Sequence, residues 1–369
     1  MVETSTKVDP RIAAAEAEAL LQDLVRIPSL SGAETEASDF LKDWMADHGF
    51  QAHVDESGSA VGERGTGQLG IVLLGHIDTF PGEIPVRVEG RRLYGRGSVD
   101  AKGALAAFAV AAAGITPLPG VRLVVIGATE EEAASSRGAR HARDRYHPSA
   151  CVIGEPSGWD RLTLGYKGRL NMAWAWSGAL AHSAGPTRSA AEVAVDAWRS
   201  IEDYANAFNQ GRVDVFQQLG ATLLSVQSSG DGVMGRSVLE VNLRLPPGLN
   251  PLELEELLRT RTTLGETSFS GHEAAFQASN NNPLTRAMRS AIRANAGQPR
   301  HVHKTGTSDM NVVGPIWKCP IVAYGPGDSR LDHTPDEHVN LDEYLLSIQV
   351  LQTALETLMA GLTSAATTS

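Results

Sequence analysis

Short apolar runs of strand length recur along the chain, and stretches with apolar residues at helical spacing separate them. The stretches at 104–114 and 283–296 predict helices, whereas the apolar runs predict buried strands. Buried strands that alternate with helices are typical of a mixed, largely parallel sheet with helices on both faces, the α/β class. The runs that predict strands are IVLL (71–74), VRLVVIGA (121–128), ACVIGE (150–155) and CPIVAYG (319–325).

Helix boundaries are marked by residues that cap or break helices. Asp9 as N-cap and Pro10 at the first helical position predict the start of the first helix, which Pro28 ends. The second helix is expected to end at Gly49, and residues 363–369 are expected to fray. The other boundary signals are Asn282, Pro283 and Gly297 around the 283–296 helix, and Asn340 with Glu343 at the start of the last helix.

The middle of the chain follows a different pattern. Residues 169–178 and 237–245 alternate apolar and polar positions, which indicates strands with one solvated face. A helix near 189–208 and another that begins at Asn250 and Pro251 give a β–α–β–α order. This order predicts an α+β domain over 165–277, inserted into a first domain made of 1–164 and 278–369.

Composition excludes several classes of protein and of site. With 369 residues, 42% hydrophobic and 20% charged, the chain is expected to fold as two packed units. The net charge of −11 argues against a nucleic-acid partner. The longest apolar run, 104–115, is short of the ~20 residues that a membrane span needs, and the N-terminus shows no signal segment, so we expect a cytoplasmic protein without a membrane partner.

Cysteine usage narrows the chemistry further. Only Cys151 and Cys319 occur, both in apolar surroundings, so neither a disulfide framework nor a thiolate zinc site is indicated. Any bound metal must therefore have histidine, aspartate and glutamate ligands.

Acids and histidines do gather at predicted strand ends. His76 and Asp78 follow the first strand two positions apart, so that both side chains can address one spot. Glu130, Glu131 and Glu132 follow the second strand, and a cation would relieve their mutual repulsion. Each group alone is also compatible with a solvated strand end or an acidic loop. The others are Asp100 in a glycine-flanked loop, Glu155 after the third strand, and His333 in the loop after the last strand.

Together these segments resemble the M20 metallopeptidases. The resemblance implies a zinc-exopeptidase type of catalytic domain, an inserted lid and dimerisation domain, a homodimer, and two zinc ions per subunit that cobalt can replace. It covers nearly the whole chain. The motifs that carry it, in chain order, are GHIDTFPG, GRGSVDAKG, TEEEAASSRG, IGEPS, AHSAGP, GTSDM and HTPDEHV.

The resemblance also implies a role for each matching residue. Asp100 would bridge the two ions, with Glu131 as the general base that accepts a proton from water. The family pattern Asp-Glu-Glu falls on 130–132, where this chain has Glu130 in place of aspartate. The other implied roles are metal ligation by His76 and Glu155 at one ion and by Glu132 and His333 at the other, support of His76 by Asp78, oxyanion stabilisation across the dimer by His182, and substrate binding by Arg244, Gly306, Thr307 and Ser308.

The segment after the first motif resembles one branch of the family in particular. That branch releases lysine or ornithine from the C-terminal glutamate side chain of an acidic amino-group carrier protein, in lysine and arginine biosynthesis. The alternatives are deacetylation of N-acetyl-lysine or N-acetylornithine, desuccinylation of succinyl-diaminopimelate, and a binding protein without catalysis. The residues expected to offer a basic rim to the carrier are Arg87, Arg91, Arg92 and Arg96.

Overall fold

The computed structural model describes residues 12–180, 182 and 184–367. Contacts between residues divide the chain into two compact units. The first contains the described residues of Met1–Leu164, Ala278–Val302 and Val312–Ser369. The second contains those of Gly165–Gln277 and His303–Asn311, so it takes in a short segment outside the expected 165–277 insertion.

The helices of the described chain are α1 Ala14–Arg26, α2 Thr35–Asp47, α3 Lys102–Ala113, α4 Arg137–Arg145, α5 Ala190–Asn209, α6 Pro251–Arg261, α7 Pro283–Ala294, α8 Asp309–Trp317 and α9 Leu341–Thr367. The first eight strands in chain order are β1 Gln51–Val54, β2 Ala60–Arg64, β3 Leu69–His76, β4 Arg87–Glu89, β5 Arg92–Tyr94, β6 Val121–Ala128, β7 Ala150–Gly154 and β8 Arg161–Tyr166. The later strands are β9 Gly168–Ala179, β10 Gly220–Gly230, β11 Met234–Leu245, β12 Glu266–Glu273, β13 Phe276–Gln277, β14 Arg300–Lys304, β15 Ile321–Tyr324 and β16 His338–Asn340.

A mixed sheet forms the centre of the first unit and confirms the predicted fold class. Its strands follow the order β1-β2-β6-β3-β7-β15-β8. The central strands β6, β3, β7 and β15 are parallel, and the pairs β1·β2, β2·β6 and β15·β8 are antiparallel. Because parallel central strands are buried on both faces, their sequences are continuous apolar runs, which is why the sequence pattern revealed them.

Helix α3 packs against this sheet at a row of glycines. Gly75 of β3 pairs with Gly127 of β6 and with Gly154 of β7. A Cβ atom at Gly75 would lie 3.2 Å from the Cβ of Leu105, and one at Gly154 would lie 3.0 Å from the ring of Phe108. All residues of α3 are buried. The small residues of sheet and helix therefore allow the helix to lie close above the strand ends that carry the candidate site.

The last helix completes the core of the first unit. By length and composition α9 could cross a membrane, but Tyr344, Leu351, Leu355 and Leu358 of α9 belong to the apolar core. The expected fraying of 363–369 is wrong for the described part of that segment, since α9 continues to Thr367.

Several helix ends match their capping signals. Asn282 and Thr285 form a reciprocal capping box at α7, with Pro283 in the first turn, and Gly49 has the left-handed φ of 80° that a helix-ending glycine adopts. Asn340 accepts hydrogen bonds from the amides of Asp342 and Glu343.

Other boundaries differ from the predicted ones. The Glu343 carboxylate does not return to Asn340, because it accepts from the amides of Trp159 and Gly327. At the end of α7 the left-handed residue is Ala296 rather than Gly297. Asp9 and Pro10 lie outside the described residues, and α1 begins at Ala14.

The second unit contains an antiparallel sheet in the order β10-β11-β9-β12. Leu170, Leu239 and Leu243 of this sheet pack with Ile201 of α5 and Leu254 of α6 in a separate core. The predicted β–α–β–α order is incomplete, because β10 and β12 were missed and the main order is β–α–β–β–α–β. Polar residues occupy many positions of both missed strands, which weakens the apolar alternation that identified β9 and β11.

Candidate metal centre

The strand ends of the first unit bring the candidate ligands to one edge of the sheet. His76 ends β3 and pairs with Ala128, the last residue of β6. Gly75 pairs with Gly154, the last residue of β7. The segments that follow these strands therefore start side by side, as expected for the carboxyl ends of parallel strands. Glu155 is the first residue after β7 and is 8% exposed.

His76 lies between two aspartates. Its Nδ1 atom is 3.0 Å from the backbone oxygen of Asp78, and its Nε2 atom is 3.3 Å from Oδ1 of Asp100. A carbonyl oxygen can only accept, so Nδ1 carries a proton and donates it. In the neutral imidazole, Nε2 then presents its lone pair beside Asp100, which is the arrangement that metal-binding histidines adopt.

Asp100, Glu132 and His333 form a second cluster at the same aspartate. The Nε2 atom of His333 is 3.1 Å from Oδ2 of Asp100 and 3.1 Å from Oε1 of Glu132. One ligand atom from each residue lies within 4.8 Å of the others. The two carboxylate oxygens of Asp100 therefore face two different imidazoles, an arrangement suited to a carboxylate that bridges two cations.

The carboxylate of Asp78 organises the loop after β6. It is fully buried and accepts hydrogen bonds from the amides of Glu131 and Glu132 at 3.0 Å each, and from the Ser31 hydroxyl at 2.7 Å. Burial acts to raise the pKa of Asp78, but the contacts with His76, Ser31 and the Glu132 amide bring the pKa below its ordinary value. An ionised Asp78 thus fixes the backbone from which the neighbouring acids project.

The chain turns at the three consecutive acids. Glu130 has a left-handed φ of 59°, and its amide donates to Oε1 of Glu34 at 3.1 Å. In a regular strand Glu131 and Glu132 would face opposite sides, but both of their amides point to Asp78. Because the chain turns here, the side chains of Glu131 and Glu132 can both reach the same site.

The neighbouring carboxylates raise the pKa values of both histidines in the cluster. The neighbouring Asp100 and Glu132 carboxylates raise the pKa of His333 to about 10. The pKa of His76 is also well above its ordinary value: burial opposes this rise, but Asp100 and Asp78 outweigh burial. Half-buried carboxylates that face two imidazoles fit divalent cations equally well, and the donor set of oxygen and imidazole nitrogen suits zinc, cobalt or manganese.

Sequence reasoning missed the residues that hold the Asp100 loop. Glu337 is fully buried, and its Oε1 accepts from the amides of Val99 and Asp100 at 3.0 and 3.2 Å. Lys102 is also buried, and its Nζ donates to the backbone oxygens of Leu24 and Ile27 at 3.0 and 2.6 Å. Burial lowers the pKa of Lys102 to about 7. The only sequence signal for both residues was their place inside motifs whose other members are candidate ligands.

The candidate substrate-binding residues lie in the second unit. Nη1 of Arg244 donates to the Thr307 hydroxyl at 3.0 Å, and that hydroxyl donates to the backbone oxygen of Lys167 at 3.0 Å. Ser308 is buried, with its amide bonded to Asn311, whereas a Cβ at Gly306 would meet nothing within 4 Å. His182 lies in an exposed loop of this unit, and its Nδ1 accepts from the amide of Ala184 at 3.1 Å.

The four arginines expected to form a basic rim are mostly engaged within the first unit. Arg87 pairs with Glu89 at 2.6 Å. Arg91 pairs with Glu18 and with Asp342, and Arg96 pairs with Glu337. Of the four, Arg92 alone shows no ion pair among the described residues. The rim is therefore a weaker basic surface than the sequence indicated.

The chain is similar to several known proteins over most of its length. The profile of peptidase family M20/M25/M40 matches residues 72–357. A [LysW]-lysine hydrolase of Deinococcus radiodurans is 49% identical over 353 residues, which cover 94% of this chain and 98% of that protein. A putative [LysW]-lysine/[LysW]-ornithine hydrolase of Thermococcus kodakarensis is 39% identical over 92% of this chain and 91% of its own length. An M20 family metallo-carboxypeptidase from Sulfolobus solfataricus has a similar fold, with a TM-score of 0.78 at 18% identity over 94% of this chain and 99% of that one.

Proposed function

Because this chain belongs to peptidase family M20/M25/M40, we propose that it releases lysine, with ornithine as the alternative product, from the C-terminal glutamate side chain of an amino-group carrier protein. Members of this family are metal-dependent hydrolases, and the chain is a hydrolase of an amide bond. The observation that carries the proposed substrate is the 49% identity to the Deinococcus radiodurans [LysW]-lysine hydrolase over nearly the full length of both chains.

Five residues of the first unit would hold two divalent ions, for which we propose zinc, with cobalt as a substitute. Asp100 would contribute to both ions, because its two oxygens face His76 and His333. When bound, the ions polarise the amide carbonyl and make water more acidic. The complete set of proposed ligands is His76, Asp100, Glu132, Glu155 and His333.

The remaining chemistry belongs to protein side chains. Glu131 would accept a proton from the attacking water and deliver it to the leaving amine of lysine, a role that requires a carboxylate outside the ligand set. Asp78 would keep Glu131 and Glu132 in register through their amides, which it binds at 3.0 Å. Asp78 would also fix the orientation of His76.

The second unit would serve as lid and dimerisation domain in a homodimer. His182 would stabilise the oxyanion in the active site of the partner subunit, because an imidazole N–H can donate to developing negative charge. Arg244 and Thr307, already hydrogen bonded to each other, would bind a carboxylate of the substrate. We propose that the reaction takes place in the cytoplasm, with the carrier protein as the partner.

The test of the substrate is a comparison of kcat/KM for carrier-linked lysine, carrier-linked ornithine, acetyl-lysine, acetylornithine and succinyl-diaminopimelate. We expect a carrier conjugate to be preferred. A preference for a free acylated amino acid would contradict the carrier and leave the hydrolase intact. Repeating the carrier assay at high salt measures the electrostatic part of docking, since salt screens exposed charges. Metal analysis of the purified protein separates an enzyme from a binding protein that has lost its ions.

A further inference from the structure

The two histidines of the candidate metal centre are held in different ways. His76 donates from Nδ1 to the backbone oxygen of Asp78 at 3.0 Å. The Nδ1 of His333 has no such hydrogen bond among residues 12–180, 182 and 184–367. The imidazole of His333 instead stacks on the ring of Phe80, with centroids 3.9 Å apart and planes 9° apart. A nearly parallel stack at this distance fixes the plane of the imidazole ring.

Phe80 lies in a turn that a partly buried ion pair supports. Nε of Arg96 donates to the backbone oxygen of Gly82 at 3.0 Å, and the guanidinium carbon lies 5.9 Å from the centroid of the Phe80 ring. Nη1 of the same arginine pairs with Oε2 of Glu337 at 2.7 Å. The other oxygen of Glu337 accepts from the amide of Asp100 at 3.2 Å. One ion pair thus connects the turn that carries Phe80 with the backbone of Asp100.

We propose that Phe80 is a positioning residue for His333, and that the Arg96–Glu337 pair keeps Phe80 and Asp100 in one frame. Stacking sets the plane of the imidazole, so that Nε2 points to Asp100 and Glu132, each 3.1 Å away. The inference rests on the metal site of the proposed function and is independent of the substrate.

A difference between the two ions follows from this arrangement. A hydrogen-bond acceptor behind a metal-binding histidine makes the imidazole a stronger ligand. His76 has such an acceptor and His333 has the face of an aromatic ring instead. An ion held by Glu132 and His333 would therefore be the weaker and more readily exchanged of the two.

The test is metal binding to the full-length protein without substrate. Apoprotein of the wild type and of Phe80→Leu and Phe80→Tyr is titrated with Co²⁺ alone, followed by calorimetry and by the visible absorption of the ion. We expect Phe80→Leu to lower the affinity for one ion about tenfold or more, as loss of a support behind a metal ligand commonly does. The affinity for the other ion should stay unchanged. Phe80→Tyr, which keeps the aromatic face, should restore wild-type affinity and absorption.

Trp44→Leu is the matched control, because Trp44 stacks on His48 with centroids 3.8 Å apart in a part of the first unit that holds no candidate ligand. It should bind both ions as the wild type does. Arg96→Met should lower Co²⁺ affinity as Phe80→Leu does. The double variant Phe80→Leu/Arg96→Met should lose no more affinity than either single variant. Unchanged binding in Phe80→Leu, or additive losses in the double variant, would overturn the proposal. A wild-type protein that binds no Co²⁺ or Zn²⁺ would instead contradict the metal site itself.

Discussion

The amide of Glu132 donates to Oδ2 of Asp78 at 3.0 Å, so a residue that touches no proposed ion directly sets the position of a proposed ligand. The other carboxylate oxygen of Asp78, Oδ1, accepts a hydrogen bond from the amide of Glu131 at 3.0 Å, and the Ser31 hydroxyl donates to Oδ2. Donors therefore surround the carboxylate on both oxygens. This relationship makes Asp78 more sensitive to substitution than a residue with one partner.

The first prediction is that Asp78→Asn fails nearly as badly as Asp78→Ala. An asparagine places an NH₂ group against an N–H donor, so one amide of the loop loses its acceptor. We expect metal affinity to fall about 10–100-fold in both variants. The measurement is zinc competition with a coloured chelator. Asp231→Asn is the control, because Asp231 also accepts from two backbone amides, those of Val233 and Met234, in a turn of the second unit.

The second prediction separates the base from the ligands. Glu131→Gln should lower kcat by at least about 10²–10⁴-fold, the contribution typical of a general base, while the metal content stays near that of the wild type. Asp100→Ala should lose both metal and activity. Glu130→Gln, the neighbouring acid whose carboxylate contacts Ser135, should keep most of the activity. If Glu130→Gln were the inactive variant and Glu131→Gln the active one, the assignment of the base would be wrong.

The third prediction concerns protons. Asp100 and Glu132 raise the pKa of His333 to about 10 in the apoprotein, so the imidazole is protonated at pH 7 and must lose its proton to bind a metal. We expect about one proton to be released at His333 per ion bound there, and metal affinity to rise with pH between about 6 and 9. Calorimetry in buffers of different ionisation enthalpy counts the protons.

The stability of the apoprotein should change with pH in the opposite direction to its metal affinity. The folded-state pKa of His333 lies above its ordinary value of 6.5. Protonation of His333 therefore stabilises apoprotein fully below about pH 6.5, and this stabilisation is lost as the pH rises through 10. His333→Ala should remove both effects. His48→Ala, which breaks a histidine–carboxylate pair with Glu16 away from the candidate ligands, should leave proton release on metal binding unchanged.

The fourth prediction is that Arg244→Lys impairs the enzyme almost as much as Arg244→Ala. A guanidinium can bind a carboxylate with two parallel N–H groups while it holds the Thr307 hydroxyl, whereas an ammonium cannot reproduce that geometry. We expect kcat/KM to fall about 10–100-fold in both variants, as loss of a charged hydrogen bond implies. Arg259→Lys is the control, since Arg259 pairs with Glu255 on a helix of the same unit.

The fifth prediction tests whether two subunits share each active site. His182→Ala and Glu131→Ala proteins should each be inactive, and a mixture of the two should recover activity after subunit exchange. In a hybrid dimer one site receives both intact residues. Absence of recovery, after exchange has been demonstrated with differently tagged subunits, would contradict the shared site.

The sequence revealed the features that depend on neighbours along the chain. The strand β3 is a continuous apolar run because both of its faces are buried. His76 and Asp78 were paired in the prediction because residues two apart on extended backbone point to the same side. The capping box at Asn282 is equally local. The grouping of acids at strand ends could be anticipated, because parallel strands share a carboxyl edge.

Contacts between residues far apart in the chain could not be predicted in this way. The partner of Arg96 is Glu337, 241 positions away, and neither residue differs in sequence from an ordinary surface charge. The same reason explains why the expected basic rim is weaker than the sequence indicated, since Arg91 meets Glu18 and Asp342 only after folding. The stack of Phe80 on His333 depends on two loops whose conformations no pattern specifies.

The distance in sequence between the members of the cluster has a consequence for synthesis in the cell. Glu132 and His333 touch across 201 positions of chain, and β15, which joins the parallel strands last in sequence order, precedes the loop that carries His333. A nascent chain could therefore acquire the ion proposed at Glu132 and His333 only after nearly all of the protein has left the ribosome. Since a ligand that binds only the folded state stabilises that state by mass action, a newly made chain gains this protection late, and metal scarcity should lengthen the period in which proteases can degrade it.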